Sequence, residues 1–531
     1  MSGDSNAGAL RVAVLVESLA VPEWVEWTVT QIDTRDAFEL TAVVLAGSVR
    51  VLPPVAGSER GARHLTYRLY QWVDTRVFGS PAAMRHTDLS RISSGRTMSA
   101  GVGPLDVVVS FLPADRTSWK GPAPRYGVWA IAPMDDGRPA SAPSRFWELN
   151  RQDDRATTTV VVLDDDSARV VARDTVRADP LSLARTRDAA AWASAHLVLR
   201  SLRSLQRDGA PLPPGDELVE LPRMPTPAVT IGHAAHTAVR GVAARSRTAW
   251  RRGEWFVAVR TRAADGREVG PIRALPNPAG RYLADPFPIE VNGRHYLFVE
   301  DYSYAARRAV ISVSAAESDG AWSPPRRALE GDHHLSYPFV FEHEGAIYML
   351  PETGEVDRIE LYRAVEFPDE WRLHRVLLDG VTAVDATLHI EDGLLWLFAM
   401  VIEGPEDRGE LRLFSSRSLD GEWRAHPRNP IVTDPGRARP AGRLFRRGGI
   451  LIRPGQDCSR EYGEAVVLNR VDVLSPDEYR ETPVDRIESG WMPGVERTHT
   501  FTFDSRYEFL DGYRRVRRLC IPRRGDPRDK R

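Results

Sequence analysis

A two-residue turn with glycine, followed by an alternating strand, recurs four times in the C-terminal half of the sequence. The four segments are NGRHYLFVE with Gly293, EGAIYMLPE with Gly345, EDGLLWLFA with Gly393, and RGGILIRPGQD with Gly448 and Gly449. Their spacing is roughly 50 residues, a period typical of the blades of a β-propeller. We therefore predict an all-β propeller for this half, and an irregular β-sandwich is the alternative.

The strands on either side of the repeat predict how many blades there are. WFVAVRTR begins at Trp255, and FLDGYRRVRR begins at Phe509. Strands from the two ends of the domain can join in one blade, which closes the ring and removes exposed strand edges. Four repeated units and this composite blade predict a five-bladed β-propeller over residues 250–515.

The first 208 residues have a different pattern, in which strand-like and helix-like segments alternate. The apolar runs are RVAVLVE from Arg11, ELTAVVLAG from Glu39 and LDVVVSFLP from Leu105. Short runs of this kind are buried in parallel sheets, so we predict an α/β domain over 1–208 with a largely parallel sheet. A long amphipathic segment ends at Gly209, as a helix C-terminus should. Residues 209–249 are predicted as a linker and entry segment, and residues 516–531 as a basic tail.

Composition and charge exclude several classes of function. Lys and Arg number 71 against 73 Asp and Glu, so the net charge of -2 predicts no nucleic-acid partner. No run of about 18 apolar residues occurs, which predicts no integral membrane segment. Two cysteines, Cys458 and Cys520, and a start without a basic signal region favour a reducing compartment, and we expect a cytoplasmic protein. No phosphate-binding glycine loop or metal-ligand spacing occurs, so we expect neither cofactor nor metal.

Polar residues at the ends of the innermost strands are the candidates for a site, because these strands line the central channel of a propeller. Those at the strand starts are Asp285, His334, Tyr337, Asp385, Arg439, Arg443 and His499. Those after the apolar strands are Glu300, Glu352, Gln456 and Asp457. Glycosidic chemistry needs one acid to protonate a leaving oxygen and another to activate water or attack the sugar. The alternative is that Asp285 and Asp385 only cap turns.

Several blocks of this half resemble a known family. HHLSYPFVFEHEGAIYMLPE, ADPFPI and RPGQDCSREYG closely resemble the N-terminal domain of the glucosamine inositolphosphorylceramide transferase family, which is similar to the five-bladed propellers of family-43 glycoside hydrolases. The resemblance implies that Asp285 is the catalytic base, that Asp385 tunes a pKa and that Glu352 is the general acid. The second blade departs from the hydrolase pattern, because SYPF stands where a hydrolase often has Asp-Pro.

The N-terminal half resembles another fold. LDVVVSFLP, RYGVWAI and SRFWELNRQDDRATTTVVVLDDD are similar to the Rossmann-type fold of methionyl-tRNA and sugar formyltransferases. Active members have an Asn and a His after the second of these strands, where this sequence has Ala132 and Met134. The later Asp164, Asp165 and Asp166 do not replace them. The resemblance therefore implies an inactive formyltransferase-like domain.

These inferences predict a carbohydrate-active protein, glycoside hydrolase-like or glycosyl-transferring, whose partner is a glycan or a sugar-containing small molecule. The proposed substrate contacts are Glu300, His334, Tyr337, Arg439, Arg443, Gln456, Asp457 and His499. One alternative is a non-catalytic glycan-binding protein in surface-glycan assembly, which needs the pocket but no pair of carboxylates at working separation. The other is a sugar N-formyltransferase, which needs an Asn or a His near Ala132.

Overall fold

The structure, a computed structural model, describes residues 8–45, 62–93, 103–112, 117, 119, 121–132, 145–163, 168–209, 224–263, 268–403 and 409–517. The chain divides into two compact units, Met1–Arg245 and Ser246–Arg531. Among the described residues, no helix combines the length and the hydropathy that crossing a membrane requires.

The first unit is built on a six-stranded sheet. In spatial order its strands are β3 (Phe38–Leu45), β1 (Leu10–Val16), β5 (Val107–Ser110), β6 (Val128–Ala132), β7 (Arg155–Leu163) and β8 (Ala168–Arg177). A separate pair consists of β2 (Ala20–Pro22) and β4 (His86–Asp88). The helices are α1 (Glu23–Thr34), α2 (Ala62–Phe78), α3 (Ser90–Ser93), α4 (Phe146–Arg151), α5 (Leu183–Asp208) and α6 (Pro227–Trp250).

The sheet is mixed rather than largely parallel. Strands β3, β1, β5 and β6 are parallel, whereas β7 and β8 are antiparallel to their neighbours. For the pair of β7 and β8 the reason lies in the connection, because a parallel neighbour needs a crossover of a dozen or more residues. Leu163 ends β7 and Ala168 begins β8, so only an antiparallel hairpin fits between them.

The strands predicted from the apolar runs are confirmed as β1, β3 and β5, and the long helix is confirmed as α5. This helix ends at Gly209, whose φ of 69° places it in the left-handed region. Within the predicted linker, the alanine-rich segment that opens with Pro227 forms α6, as proline at a first helical position favours.

The formyltransferase-like assignment of this unit stays a prediction. Ala132 ends β6 as a buried residue. Met134, the three aspartates 164–166 and most of the basic tail lie outside the described residues, although Arg517 still belongs to a strand.

Five antiparallel sheets make up the described part of the second unit. Blade one holds β11 (Arg281–Val291), β12 (Arg294–Ser303), β13 (Arg308–Ala315) and β14 (Arg326–Leu329); blade two holds β15 (Ser336–His343), β16 (Ala346–Glu352), β17 (Arg358–Glu366) and β18 (Glu370–Asp379). Blade three holds β19 (Ala383–Glu391), β20 (Leu394–Ile402), β21 (Gly409–Ser416) and β22 (Arg424–Ala425). Blade four holds β23 (Arg439–Pro440) and β24 (Phe445–Arg447), which share the inner position, then β25 (Ile450–Asp457), β26 (Ala465–Leu474) and β27 (Tyr479–Ile487). The composite blade holds β28 (Phe501–Phe503), β29 (Tyr507–Arg517), β9 (Arg251–Arg262) and β10 (Glu268–Ala274).

The composite blade joins strands from the two ends of the unit. Strand β29 pairs with β9 continuously, from Tyr507 opposite Thr261 to Arg517 opposite Arg251. The predicted five-bladed propeller, with its closure by terminal strands, is therefore confirmed.

The repeated glycines make two-residue hairpin turns between the first two strands of blades one to four. The turn residues are Asn292–Gly293, Glu344–Gly345, Asp392–Gly393 and Gly448–Gly449, and all have positive φ. Two successive residues with positive φ define the type I′ turn, whose twist matches that of antiparallel strands. The sequence repeat thus marks the same hairpin in each blade.

Candidate functional site

The innermost strands of blades one, two and three carry a β-bulge at the same place. Asp285, Tyr337 and Asp385 occupy the bulges with φ of 47°, 45° and 54°. Left-handed backbone is unfavourable for residues with a side chain, and it persists where the surrounding structure holds it. The three positions are therefore structurally equivalent, and each is buried at the channel.

In blades one to four, the second strand adds one side chain opposite an inner-strand residue. Glu300, Glu352, Met400 and Gln456 lie opposite Ala284, Ser336, Val384 and Arg439, respectively. Because side chains alternate along a strand, the residue that follows each of these points the other way. Asp301 accordingly contacts Arg281 at 2.6 Å and Ser312 at 2.8 Å. Asp457 pairs with Arg486 of β27, so the structure does not bring this predicted residue together with the other candidate residues at the channel.

Arg439 links two of the predicted catalytic carboxylates. Its Nε lies 2.5 Å from Oδ2 of Asp385, and its Nη2 lies 3.3 Å from Oε2 of Glu352. The side-chain amide of Gln456 donates to the same Asp385 Oδ2 at 2.8 Å and to the carbonyl of Pro440 at 2.9 Å. Asp385 is thus held from two sides, while Glu352 keeps one face toward solvent, with its side chain 15% exposed.

Asp285 belongs to a second group, which reaches into the composite blade. Its Oδ1 accepts a hydrogen bond from Thr500 Oγ1 at 2.8 Å and lies 3.6 Å from His499 Nε2, and its Oδ2 accepts the backbone N–H of Tyr337 at 3.2 Å. His499 Nδ1 forms an ion pair with Asp511 Oδ2 at 2.5 Å. Ligand atoms of Asp285, His499 and Asp511 lie within 4.8 Å of one another.

Burial and mutual repulsion set the proton affinities of these carboxyl groups. Burial raises the pKa of Asp285 to about 6; Asp385 and Asp511 add to the rise, and His499 opposes it. Burial also raises the pKa of Glu300 and of Glu352 well above the usual range; Asp285 adds to both shifts. The charge of Asp385 raises the pKa of Glu352 further, whereas Arg439 opposes it. These groups therefore feel one another's charge, as groups sharing one pocket do.

His499 is the basic residue of the second group. Burial, the largest effect, lowers its pKa, but Asp511 and Asp285 together outweigh burial and leave the pKa raised. Its ring also stacks on Trp255 with centroids 4.0 Å apart and an angle of 17° between the planes.

A chain of hydrogen bonds next to the carboxylates connects blades two, three and four. The N–H of Gly442 donates to the Tyr337 hydroxyl at 2.8 Å, which lies 2.8 Å from Thr387 Oγ1; that hydroxyl donates to the carbonyl of Asp385 at 3.2 Å. Arg443 lies over the ring of Phe339 at 4.6 Å and donates to the carbonyl of Val340. Tyr337 and Arg443, both predicted as substrate contacts, are thus bonded within the channel wall.

Aromatic side chains surround part of the site. Tyr282 and Tyr302 face each other across β11 and β12, with stacked rings 4.8 Å apart, and Tyr304 packs on both. His334 packs on Tyr302 and its Nε2 lies 3.5 Å from Oε1 of Glu300. Because its Nδ1 accepts the N–H of Ala309 at 3.3 Å, the remaining ring proton is directed at Glu300.

Tyr462 lies beside Arg439. The residue is 41% exposed, and the guanidinium of Arg439 lies 4.9 Å from the centroid of its ring. The same ring packs edge-on against Trp255 and His499. An exposed aromatic face therefore adjoins the ion pair of Arg439 and Asp385.

Sequence reasoning missed Asp511, Thr500, Tyr462 and the tyrosine cluster. Asp511 follows the apolar run FL in FLDG, just as Glu300 follows YLFV, and that likeness was the available signal. Tyr462 lies in the loop between β25 and β26, where no periodic pattern operates.

Residues 274–492 match the family described as "Glucosamine inositolphosphorylceramide transferase 1, N-terminal". Three curated relatives carry the name glucosamine inositolphosphorylceramide transferase 1. The protein from Oryza sativa subsp. japonica is 41% identical over 209 residues, which are 38% of this chain and 28% of that protein. The protein from Arabidopsis thaliana is 39% identical over 208 residues, 38% of this chain and 27% of that protein.

Among solved structures, a family 117 glycoside hydrolase from Zobellia galactanivorans matches with a TM-score of 0.34 at 12% identity, over 50% of this chain and 90% of that chain. An exo-β-1,3-galactanase from Clostridium thermocellum matches with a TM-score of 0.32 at 14% identity, over 45% of this chain and 61% of that chain. The chain aligns with only part of these plant proteins, 28% of the rice protein and 27% of the Arabidopsis protein.

Proposed function

We propose that the carboxyl-lined end of the propeller channel binds a sugar and cleaves or transfers its glycosidic bond. The observation that carries the proposal is the gathering of four carboxyl groups, from Asp285, Glu300, Glu352 and Asp385, around Arg439 and His499. Groups whose environments push their pKa values apart are the usual acid and base of such a site.

Glu352 is proposed as the general acid. Its raised pKa favours the protonated carboxyl, and its partly exposed side chain leaves the proton accessible. In the proposed step, Glu352 gives this proton to the departing oxygen as the carbon–oxygen bond breaks. Asp385 supports this role because its charge, fixed by Arg439 and Gln456, raises the pKa of Glu352.

Asp285 is proposed as the base. With a pKa of about 6 it is mostly ionised at neutral pH, so it can take a proton from an attacking water or acceptor hydroxyl. The hydrogen bonds from Thr500 and from the N–H of Tyr337 orient the carboxylate without occupying all of its lone pairs.

A sugar is the proposed ligand because aromatic faces and polar groups alternate around the carboxyls. Tyr462, Tyr282 and Tyr302 offer faces for the C–H surfaces of a pyranose, and Arg439 and His334 offer donors for its hydroxyls. The matched plant relatives are named as glucosamine inositolphosphorylceramide transferases, so amino sugars and phosphoinositol-containing acceptors belong among the first compounds tested.

The test is product analysis by mass spectrometry after incubation with a panel of oligosaccharides and nucleotide sugars. We expect turnover by the wild type and a loss of about 100-fold or more in Asp285→Asn and Glu352→Gln. A substrate with an activated aryl leaving group should restore activity to Glu352→Gln but not to Asp285→Asn, because such a group leaves without protonation. The matched control is Glu360→Gln, a buried carboxylate of blade two that bonds Tyr362 at 2.7 Å.

Non-catalytic sugar binding is the second candidate. The observation in its favour is that Asp285 is only 4% exposed and Asp385 only 1%. Sugar binding by wild type and both variants, measured by calorimetry, with no turnover of any compound in the panel, would establish binding and exclude catalysis. The mass of the product would separate hydrolysis from transfer.

A further inference from the structure

Large apolar side chains that are exposed to solvent concentrate on two helices of the first unit. Of the fourteen among the described residues, eight lie on α2 and α6: Leu65, Leu69, Trp72, Val73, Val77, Ile231, Val239 and Val242. Each of the eight is between 45% and 69% exposed. Scattered single residues of this kind are ordinary on a protein surface, but a concentration of them marks an interaction site.

The exposed residues of α2 form one stripe. Their positions, 65, 69, 72, 73 and 77, follow the helical repeat and lie along one side of the helix. The other side of α2 packs against the start of α5, where Asp74 accepts hydrogen bonds from the N–H groups of Leu183 at 3.3 Å and Ala184 at 2.6 Å. Helix α2 is therefore fixed by its polar and aromatic face while its aliphatic face points outward.

Helix α6 is a neighbour of α2. His233 Nε2 lies 3.1 Å from the hydroxyl of Tyr70, and both rings pack on Phe146. The exposed side of α6 consists largely of alanine and valine, with Ile231, Val239 and Val242 protruding. We refer to the eight exposed residues together as the α2–α6 face.

The exposed charged side chains that the structure describes on the two helices are all basic. Arg68 and Arg76 are exposed on α2, and Arg76 lies 5.4 Å from the centroid of the Trp72 ring. The sequence of α6 contains no Asp or Glu, and the single acid of α2, Asp74, is buried on the opposite side. An apolar stripe with Trp and Leu, flanked by Arg, is the pattern of helices that lie in a membrane interface.

We infer that the α2–α6 face binds the surface of an anionic lipid membrane, with the apolar stripe at the level of the headgroups. Negative lipid headgroups complement Arg68 and Arg76, and the acyl boundary accommodates Leu69 and Trp72. A symmetric dimer through the same face would set like charges against one another, which favours the membrane as the occupant. This inference does not rest on the proposed function of the propeller.

The test is cosedimentation of the full chain with vesicles of phosphatidylcholine, with and without phosphatidylserine. We expect binding to the anionic vesicles, and a loss of about tenfold or more in Leu69→Ser combined with Trp72→Ser. Arg68→Gln and Arg76→Gln should each weaken binding to anionic vesicles by about fivefold, and added salt should do the same. The matched control is Val365→Ser with Leu373→Ser, equally exposed apolar residues of blade two, which should leave binding unchanged.

Two results would overturn the inference. One is failure of the wild type to bind anionic vesicles. The other is equal loss of binding in the control, which would place the contact elsewhere. Sedimentation velocity without lipid tests self-association. If the wild type does not bind vesicles but forms a dimer, and Leu69→Ser with Trp72→Ser dissociates that dimer, the face binds a second copy of the chain instead. Because the substituted side chains are exposed, unfolding temperatures should match that of the wild type.

Discussion

Replacing Tyr337 by Phe tests whether the hydrogen-bond chain next to the carboxylates holds the channel together. The substitution removes one oxygen atom from a residue with no solvent exposure. It leaves the N–H of Gly442 and the hydroxyl of Thr387 without their partner, each of which lies 2.8 Å away. A net hydrogen bond contributes about 1 kcal/mol, and a buried N–H left unpaired costs about 1–3 kcal/mol. We therefore expect the free energy of local unfolding of blades two to four to fall by about 2–4 kcal/mol.

Hydrogen exchange with mass spectrometry suits this measurement, because peptides of the propeller are resolved from those of the first unit. The control is Tyr348→Phe, which removes the same atom from a residue 9% exposed whose hydroxyl makes no hydrogen bond within the described residues. Its expected effect is below about 0.5 kcal/mol. If Tyr337→Phe changes protection no more than Tyr348→Phe, the hydrogen-bond chain does not stabilise the channel. A cycle with Thr387→Val should show a coupling of about 0.5–3 kcal/mol.

Three further predictions follow from the same geometry. Arg439→Gln leaves Asp385 buried without its ion pair, so thermal unfolding should show that the free energy of unfolding falls by about 3–5 kcal/mol. The double variant Arg439→Gln with Asp385→Asn should lose less, because it leaves no unpaired buried charge. The raised pKa of Asp285 means that the folded state binds this proton more tightly than the unfolded chain, so this group should lower stability as pH rises from about 4 to about 6. Denaturation from pH 4 to pH 7 should show a slope of this sign, and Asp285→Asn should make it shallower, because Glu300 and Glu352 with their raised pKa values still contribute to it. The rate of any turnover should fall below about pH 6. In Gly442→Ala the new Cβ would meet the carbonyl of Phe501, whereas in Gly448→Ala nothing lies within 4 Å of it. We therefore expect Gly448→Ala to lower the free energy of unfolding by about 1 kcal/mol and Gly442→Ala to lower it far more.

The sequence predicts the propeller well because its hairpins are local. Turns such as Asn292–Gly293 and Asp392–Gly393 need only two residues with positive φ and alternating strands on either side. The channel positions of Asp285, Glu352 and Asp385 follow from the same register, since each lies at a fixed distance from its turn.

Other features depend on side-chain direction or on contacts between distant segments. Gln456 and Asp457 are adjacent in sequence, yet one bonds Asp385 and the other bonds Arg486, because alternation along β25 separates them. Tyr462 contacts Arg439 from a loop, and loops have no periodic sequence pattern from which the position of a side chain could be predicted. In the first unit, the short connection after Leu163 makes β8 antiparallel to β7, and apolar runs alone do not reveal strand direction.

The pairing of β29 with β9 affects how the propeller folds. Blades one to four are built from hairpins whose partners are close in sequence, so they can form as soon as their own residues are available. The composite blade instead joins residues about 250 positions apart, and closing such a loop is slow. Until Tyr507–Arg517 is in place, β9 presents a row of unpaired backbone groups to other chains. The hazard of aggregation therefore falls in the interval before the last strand pairs, and any agent that delays that strand should lengthen it.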